Sequence, residues 1–215
     1  MGGRSTLRRP SRAALGLSAA AYATLARLDT PLAIQAFISA IPANREPGGE
    51  TLLSVAQVLR QRRAHCIEAA FVAACALWIH GEPPLLMHLD CMQSDDPHVV
   101  ALFRRRGAWG AISKSNGAHL RYRDPVYRTL RELAMSYLHE YFDRRGRKTL
   151  RSHSGAFDMR RLDRSQWVSC DDDCEEANAR LAFARHYPLL RARQRALLSV
   201  RDRFERRIAR IAEHA

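Results

Sequence analysis

The run Cys66-Ile67-Glu68-Ala69-Ala70-Phe71-Val72-Ala73-Ala74-Cys75-Ala76-Leu77-Trp78-Ile79-His80 is the longest apolar stretch of the chain, and it stops at Gly81. Apolar residues at 67, 71, 74, 75 and 78 follow helical spacing, and glycine is a good residue just past a helix end. The run is too short to span a bilayer and carries Glu68 near its start. It therefore predicts a helix buried inside a domain, with a cysteine at its N-terminus. The positive end of the helix macrodipole lowers a thiol pKa and favours thiolate, the nucleophilic form. A cysteine so placed is either a small core residue or a nucleophile, and its partners decide.

At 215 residues and 47% hydrophobic content the chain suits one well-packed domain with extensions. The five cysteines (66, 75, 91, 170, 174) form no small-scaffold pattern, which favours reduced thiols. Arg4 to Arg12, followed by the alanine-rich stretch to Ala21, reads as a basic tail leading into a helix. A cytoplasmic location and no membrane association are expected. The net charge of +13 invites an anionic partner, but 33 of the 35 basic residues are arginine and they are spread along the chain. The densest cluster, Arg191 to Arg210, predicts the solvated face of a C-terminal helix whose other face carries Leu197, Val200, Phe204, Ile208 and Ile211. A weak anionic partner, nucleic acid included, belongs there if anywhere. Cys170 and Cys174 with His153 or His186 make a poor metal set, and the chain carries no phosphate loop, dinucleotide fingerprint or HExxH. No cofactor and no metal are implied.

Along the chain, Thr30-Pro31 reads as N-cap and N1 of a helix whose stripe is Ile34, Phe37, Ile38 and Ile41. Residues 46–50 read as a loop, and Ser54-Val55-Ala56-Gln57 as a capping box opening a short helix to Gln61 or Arg62. After Gly81 strands are expected at Pro84–Asp90, His98–Arg104 and Ala108–Lys114, with Asp95-Asp96-Pro97 as a turn. Asp124-Pro125 predicts a helix start with Val126, Leu130, Leu133, Tyr137 and Tyr141 on one face, and residues 144–165 an arginine-rich loop. From Asp171 onward the tail reads as acidic residues followed by helix.

The hairpin around Arg105-Arg106-Gly107 admits two registers. Pairing Arg104 with Ala108 sets His98 opposite Lys114, with Lys114 and Asn116 on its face. A two-residue turn sets Ser113 and Ser115 there instead. The first register suits a His98–Asn116 contact.

The segments 64–70, 95–103 and 109–116 together resemble a bacterial transglutaminase-like protein of the broad papain-like cysteine-protease fold. Leu28-Asp29-Thr30-Pro31 with Ile34-Gln35, and Arg123 to Tyr127, extend the likeness to about residues 28–155. The resemblance implies an α+β core, with a nucleophile helix packed on an antiparallel sheet. It divides the chain into a basic segment 1–28, a transglutaminase-like domain 29–158 and an arginine-rich helical extension 159–215. It implies Cys66 as nucleophile and His98 as general base. Transglutaminases usually carry Asp in the third position, and here Asn116 stands in that neighbourhood; asparagine orients a histidine but adds no charge.

Other residues compete for roles. Asp124 before Pro125 makes an ideal helix cap, the reading preferred to catalysis. His65 could tune the thiol, although neighbours at a helix start seldom face the same way. Glu68 suits the macrodipole but opposes a thiolate, and Gln61 is a weaker oxyanion donor than the Cys66 backbone N–H. The expected function is a cofactor-independent thiol enzyme acting on amide bonds of a peptide or protein: a peptidase, amidase or transglutaminase. The alternative is a catalytically inactive binding module on the same fold. Loops 44–53, 91–97 and 143–158 would set specificity.

Overall fold

Capping decides where the helices begin. In the computed structural model, which describes residues 8–46 and 49–214, the first half forms α1 (Arg12–Leu15), α2 (Ala19–Ala26), α3 (Pro31–Ala40), α4 (Val55–Gln61) and α5 (Cys66–Ile79). The expected positions at 1–7, and Pro47 and Gly48 of the expected loop, lie outside the described residues. Thr30 Oγ1 accepts a hydrogen bond from the Ala33 N–H at 3.1 Å, opening α3 behind Pro31. Ser54 and Gln57 close a reciprocal capping box at α4, at 3.3 and 2.7 Å. α5 runs to Ile79, and Gly81 turns the chain at φ 85°.

The second half forms β1 (Leu85–Cys91), β2 (His98–Arg105), β3 (Ala108–Ile112), β4 (Arg123–Tyr127), α6 (Leu130–Met135), β5 (Leu150–Ser154), β6 (Phe157–Asp158), α7 (Glu175–Ala182), β7 (His186–Pro188) and α8 (Ala192–Arg195). The seven strands make one antiparallel sheet, ordered β4-β3-β2-β1-β5-β7, with β6 also on β1. The protein is thus α+β. α5 packs on one face against Val99, Ala101 and Phe103, while Val100 and Leu102 face the core under α6 with Leu133, Tyr137 and Tyr141. A strand buried on both faces has to be apolar throughout, which is why β2 reads as a continuous run. α2, α3 and α4 cover the rest of α5, so Ile67 to Ile79 are all buried. Among the described residues no helix is long and apolar enough to cross a membrane.

Several expectations need correction. The hairpin pairs Arg105, not Arg104, with Ala108, through the two-residue turn Arg106-Gly107 at φ 50° and 84°. Positive φ at both central positions is the type I′ pattern, whose twist matches the strands. Asp124-Pro125 lies in β4, not in a helix, and Val126 is exposed. β4 is an edge strand, the place in a sheet where proline is tolerated. The helix begins after Thr129, whose hydroxyl accepts from the Glu132 N–H at 3.1 Å.

The stretch 144–165 contains β5 and β6 rather than loop alone. The buried positions of β5 include Ser152, His153 and Ser154, so no apolar alternation marks it. The expected arginine-rich terminal helix does not form as one element: α8 is a single turn and Glu205–Arg210 is a 3-10 helix. Leu197, Val200, Phe204, Ile208 and Ile211 are exposed, and an amphipathic stripe stabilises a helix only when it is packed. Nor do residues 28 and 158 bound the core. Leu15, Leu17 and Leu25 are buried against α5, and Trp167 stacks on Trp78 with ring centroids 6.1 Å apart.

Candidate active site

The approach to Cys66 is fixed by backbone pairing. Arg62, in the left-handed conformation at φ 57°, ends α4, and Ala64 then pairs with the strand-like segment at Ala43. The Asn44 N–H donates to the Ala64 carbonyl and the Ala64 N–H to the Pro42 carbonyl, both at 3.1 Å. His65 follows as the N-cap of α5, and its N–H donates to Glu68 Oε2 at 2.8 Å. Glu68 is fully buried and also accepts from Asn44 Nδ2 at 3.2 Å, Thr51 Oγ1 at 2.9 Å and the Leu53 N–H at 2.9 Å. One charged residue inside an apolar helix therefore ties the 44–53 loop to the first turn of α5. It was legible only as an anomaly in the hydrophobic run.

Cys66 is half-buried as a residue, and its thiol lies beside the rings of His65 and His98. Burial pushes the thiol up, but the influence of the two imidazoles outweighs it and brings the pKa down to about 5. His65 moves the opposite way. Burial disfavours its cation, yet the adjoining Cys66 thiol, the charge of Glu68 and the Thr51 carbonyl raise it to about 9. Its Nε2 lies 2.9 Å from that carbonyl, 3.4 Å from Glu68 Oε1 and 3.5 Å from Glu46 Oε1. The expectation that adjacent residues would diverge is corrected here. As N-cap, His65 has extended backbone (φ −95°, ψ −169°) and escapes the helical rotation that separates neighbours.

His98 opens β2 and is buried. Its Nε2 lies 2.8 Å from Ser113 Oγ, and that hydroxyl donates its single proton to the Leu120 carbonyl at 2.6 Å. The Ser113 oxygen can therefore only accept from His98, which places the imidazole proton on Nε2. Nδ1 is left with a lone pair. Ser113 is itself clamped by α3: Gln35 Oε1 accepts from the Ser113 N–H and Gln35 Nε2 donates to its carbonyl, both at 2.9 Å. The neighbouring Lys114 is buried and donates to the Ile38 and Ile41 carbonyls at 3.1 and 2.5 Å; burial lowers its pKa to about 8.

The structure thus brings Cys66 and His98 together and puts Ser113 at the ring's far nitrogen. Asn116 does not hold His98; its side chain bonds to the backbone of His214. The register explains this, because the two-residue turn sends odd-numbered residues of the return strand to the His98 face. Asp124 is exposed on β4, and Gln61 is exposed and accepts from Arg63 Nε at 3.0 Å. Burial pushes Cys75, Cys91 and Cys174 up, Cys91 to about 12. No protein-family model matches the sequence, and comparison with curated proteins finds no match. Among the described residues no group of three His, Cys, Asp or Glu is placed to hold a metal ion.

The chemistry available is that of a readily ionised thiol beside an imidazole that can take its proton. The Cys66 N–H, in the first turn of α5, has no partner within the helix and is the nearest donor for an oxyanion formed at the sulfur.

Proposed function

We propose that the chain is a thiol acyltransferase or amide hydrolase on a transglutaminase-like fold, working through a Cys66 thioester. The observation that carries this reading is Cys66 at the start of α5 beside two histidines that lower its pKa, one of them held in turn by Ser113. His98 Nδ1 takes the thiol proton, and the thiolate attacks the carbonyl carbon of an amide. The C–S bond forms as the carbonyl electron pair moves to oxygen, where the Cys66 N–H stabilises it. The oxyanion collapses, the C–N bond breaks and imidazolium His98 gives its proton to the departing amine. Water or a second amine then attacks the thioester, His98 takes the proton of that nucleophile, and the thiolate leaves.

The histidines divide the work. His65 sits against the Thr51 carbonyl and two carboxylates, so it keeps its proton and stabilises the thiolate by charge. His98 has a hydroxyl and no carboxylate behind it, which suits a base that must pass its proton on.

An activity-based electrophilic probe tests the reading. Wild type should be labelled at Cys66, Cys66→Ala should not, and an amine-incorporation assay then separates transfer from hydrolysis. Labelling that persists in Cys66→Ala would instead favour a binding module on this fold.

A further inference from the structure

Asn116, left over from the His98 interaction, reads a peptide backbone. Its Oδ1 accepts from the His214 N–H at 3.0 Å and its Nδ2 donates to the His214 carbonyl at 3.2 Å. The Asn116 carbonyl accepts from the Glu213 N–H at 2.8 Å, and Gly117 forms an antiparallel bridge with Ala212. Residues 212–214 are therefore held as an added strand, which recognises extended chain rather than sequence. Side-chain selection is supplied beside it. Arg121 forms an ion pair with Glu213, and its guanidinium is held in place by the Gly117 and Ser115 carbonyls at 2.9 Å each. Across the segment, His214 Nε2 donates to the Ser39 carbonyl at 2.9 Å and Arg45 donates to the His214 carbonyl at 3.0 Å.

These contacts lie on both flanks of the Cys66 site. Asn116 is three residues beyond Ser113, and Arg45 adjoins Asn44, which bonds Glu68. Lys114 bridges the two flanks through the Ile38 and Ile41 carbonyls. Ile211, Ala212 and Glu213 are exposed, so hydrogen bonds and charge hold the segment, not burial. A segment held in that way opens locally at little cost and can be exchanged for another of the same kind.

We propose that Asn116, Gly117 and Arg121, facing Ser39 and Arg45, form a peptide-binding subsite for an extended segment carrying an acidic side chain, occupied here by the chain's own residues 212–214. The claim that this peptide is substrate rests on the thioester reading; the claim that the strip binds it does not. An acidic residue one position before the doubly bonded one is the recognition element, because Arg121 meets Glu213 there.

The experiment uses full-length Cys66→Ala, which cannot turn over, and a fluorescein-labelled peptide of the sequence of residues 208–214. Glu213→Arg in that background sets two guanidinium groups against each other and releases the intramolecular competitor. Anisotropy should then report peptide binding tighter by about tenfold or more, since a tethered segment competes at high effective concentration. Adding Arg121→Ala should weaken binding at least tenfold, and so should replacing the glutamate of the peptide by alanine, with no further loss when the two changes are combined. No binding to the Glu213→Arg protein, or binding indifferent to Arg121→Ala and to the alanine peptide, overturns the subsite. Binding as expected in a protein whose wild type forms no Cys66 adduct leaves the subsite standing and removes the thioester reading.

Discussion

Raising the pH across the range in which an ordinary thiol ionises should barely change the alkylation rate of Cys66. Its pKa of about 5 is below the unperturbed value, so thiolate is present above that pH and is lost as pH falls through it. At pH ~6 about nine-tenths of Cys66 is thiolate, against ~0.3% for a free cysteine of pKa ~8.5. A thiolate of lower pKa is less nucleophilic, and a Brønsted slope of ~0.45 over ~3.5 units reduces intrinsic reactivity by about 40-fold. The net result is a rate several times that of free cysteine at pH ~6 and about 20-fold below it at pH ~8.5, with a crossing near pH ~7. Limited access to the sulfur of a half-buried residue scales every rate alike, so the ratio between two pH values is the robust quantity. That ratio, between pH ~8.5 and pH ~6, should be near 1 for Cys66 and on the order of 150 for a free thiol. Iodoacetamide pulses at a series of pH values, with peptide mapping of all five cysteines, read it directly. His65→Ala and His98→Ala should each move the lower inflection upward. A Cys66 rate that climbs steeply between pH ~7 and ~9, as an unperturbed thiol does, would refute the ion-pair reasoning.

Ser113→Ala should lower kcat/KM by about 10- to 100-fold, ~1.4–2.7 kcal/mol, because the imidazole loses the acceptor that fixes its tautomer; Asp124→Ala, exposed on β4, should leave it unchanged, and the reverse order of effects would return the third role to Asp124. Glu68→Ala should cost about 3 kcal/mol or more in urea denaturation, since it strands the buried donors of Asn44, Thr51 and the Leu53 N–H; a midpoint equal to wild type would remove Glu68 as the organiser of the loop. Trp167→Ala should cost about 3–5 kcal/mol for a buried indole stacked on Trp78, and an unchanged midpoint would show that residues beyond 158 are no part of the core.

What the sequence discloses follows the physics of each signal. α3, α4 and α5 were legible because a cap residue, an apolar stripe and a stop coincide at each. β1, β2 and the turn at 95–97 were legible because buried strands beside an acidic turn have few alternatives. Cys66 and His98 could be singled out because helix N-terminus and strand start are positions that chemistry uses. The third partner could not be fixed, because one residue of register exchanges Ser113 for Asn116 and the choice lies in the φ angles of Arg106 and Gly107. β4 was hidden by a proline that an edge strand accepts, and β5 by buried serines and a histidine. The terminal stripe misled because spacing shows which face a helix would bury, not that anything is there to bury it. His65 and Gln35 carried no periodic signal at all; each acts through hydrogen bonds that only the tertiary fold supplies.

The account stands or falls on whether Cys66 carries an acyl group. Incubation with p-nitrophenyl acetate, acid quench and intact mass analysis measure it without knowledge of the natural substrate. The account predicts one acetyl group per chain, mapped to the Cys66 peptide, released by hydroxylamine as a thioester, absent in Cys66→Ala and slower in Ser113→Ala. Acetylation confined to lysines or to another cysteine, or no acetylation while the protein remains folded, would contradict it.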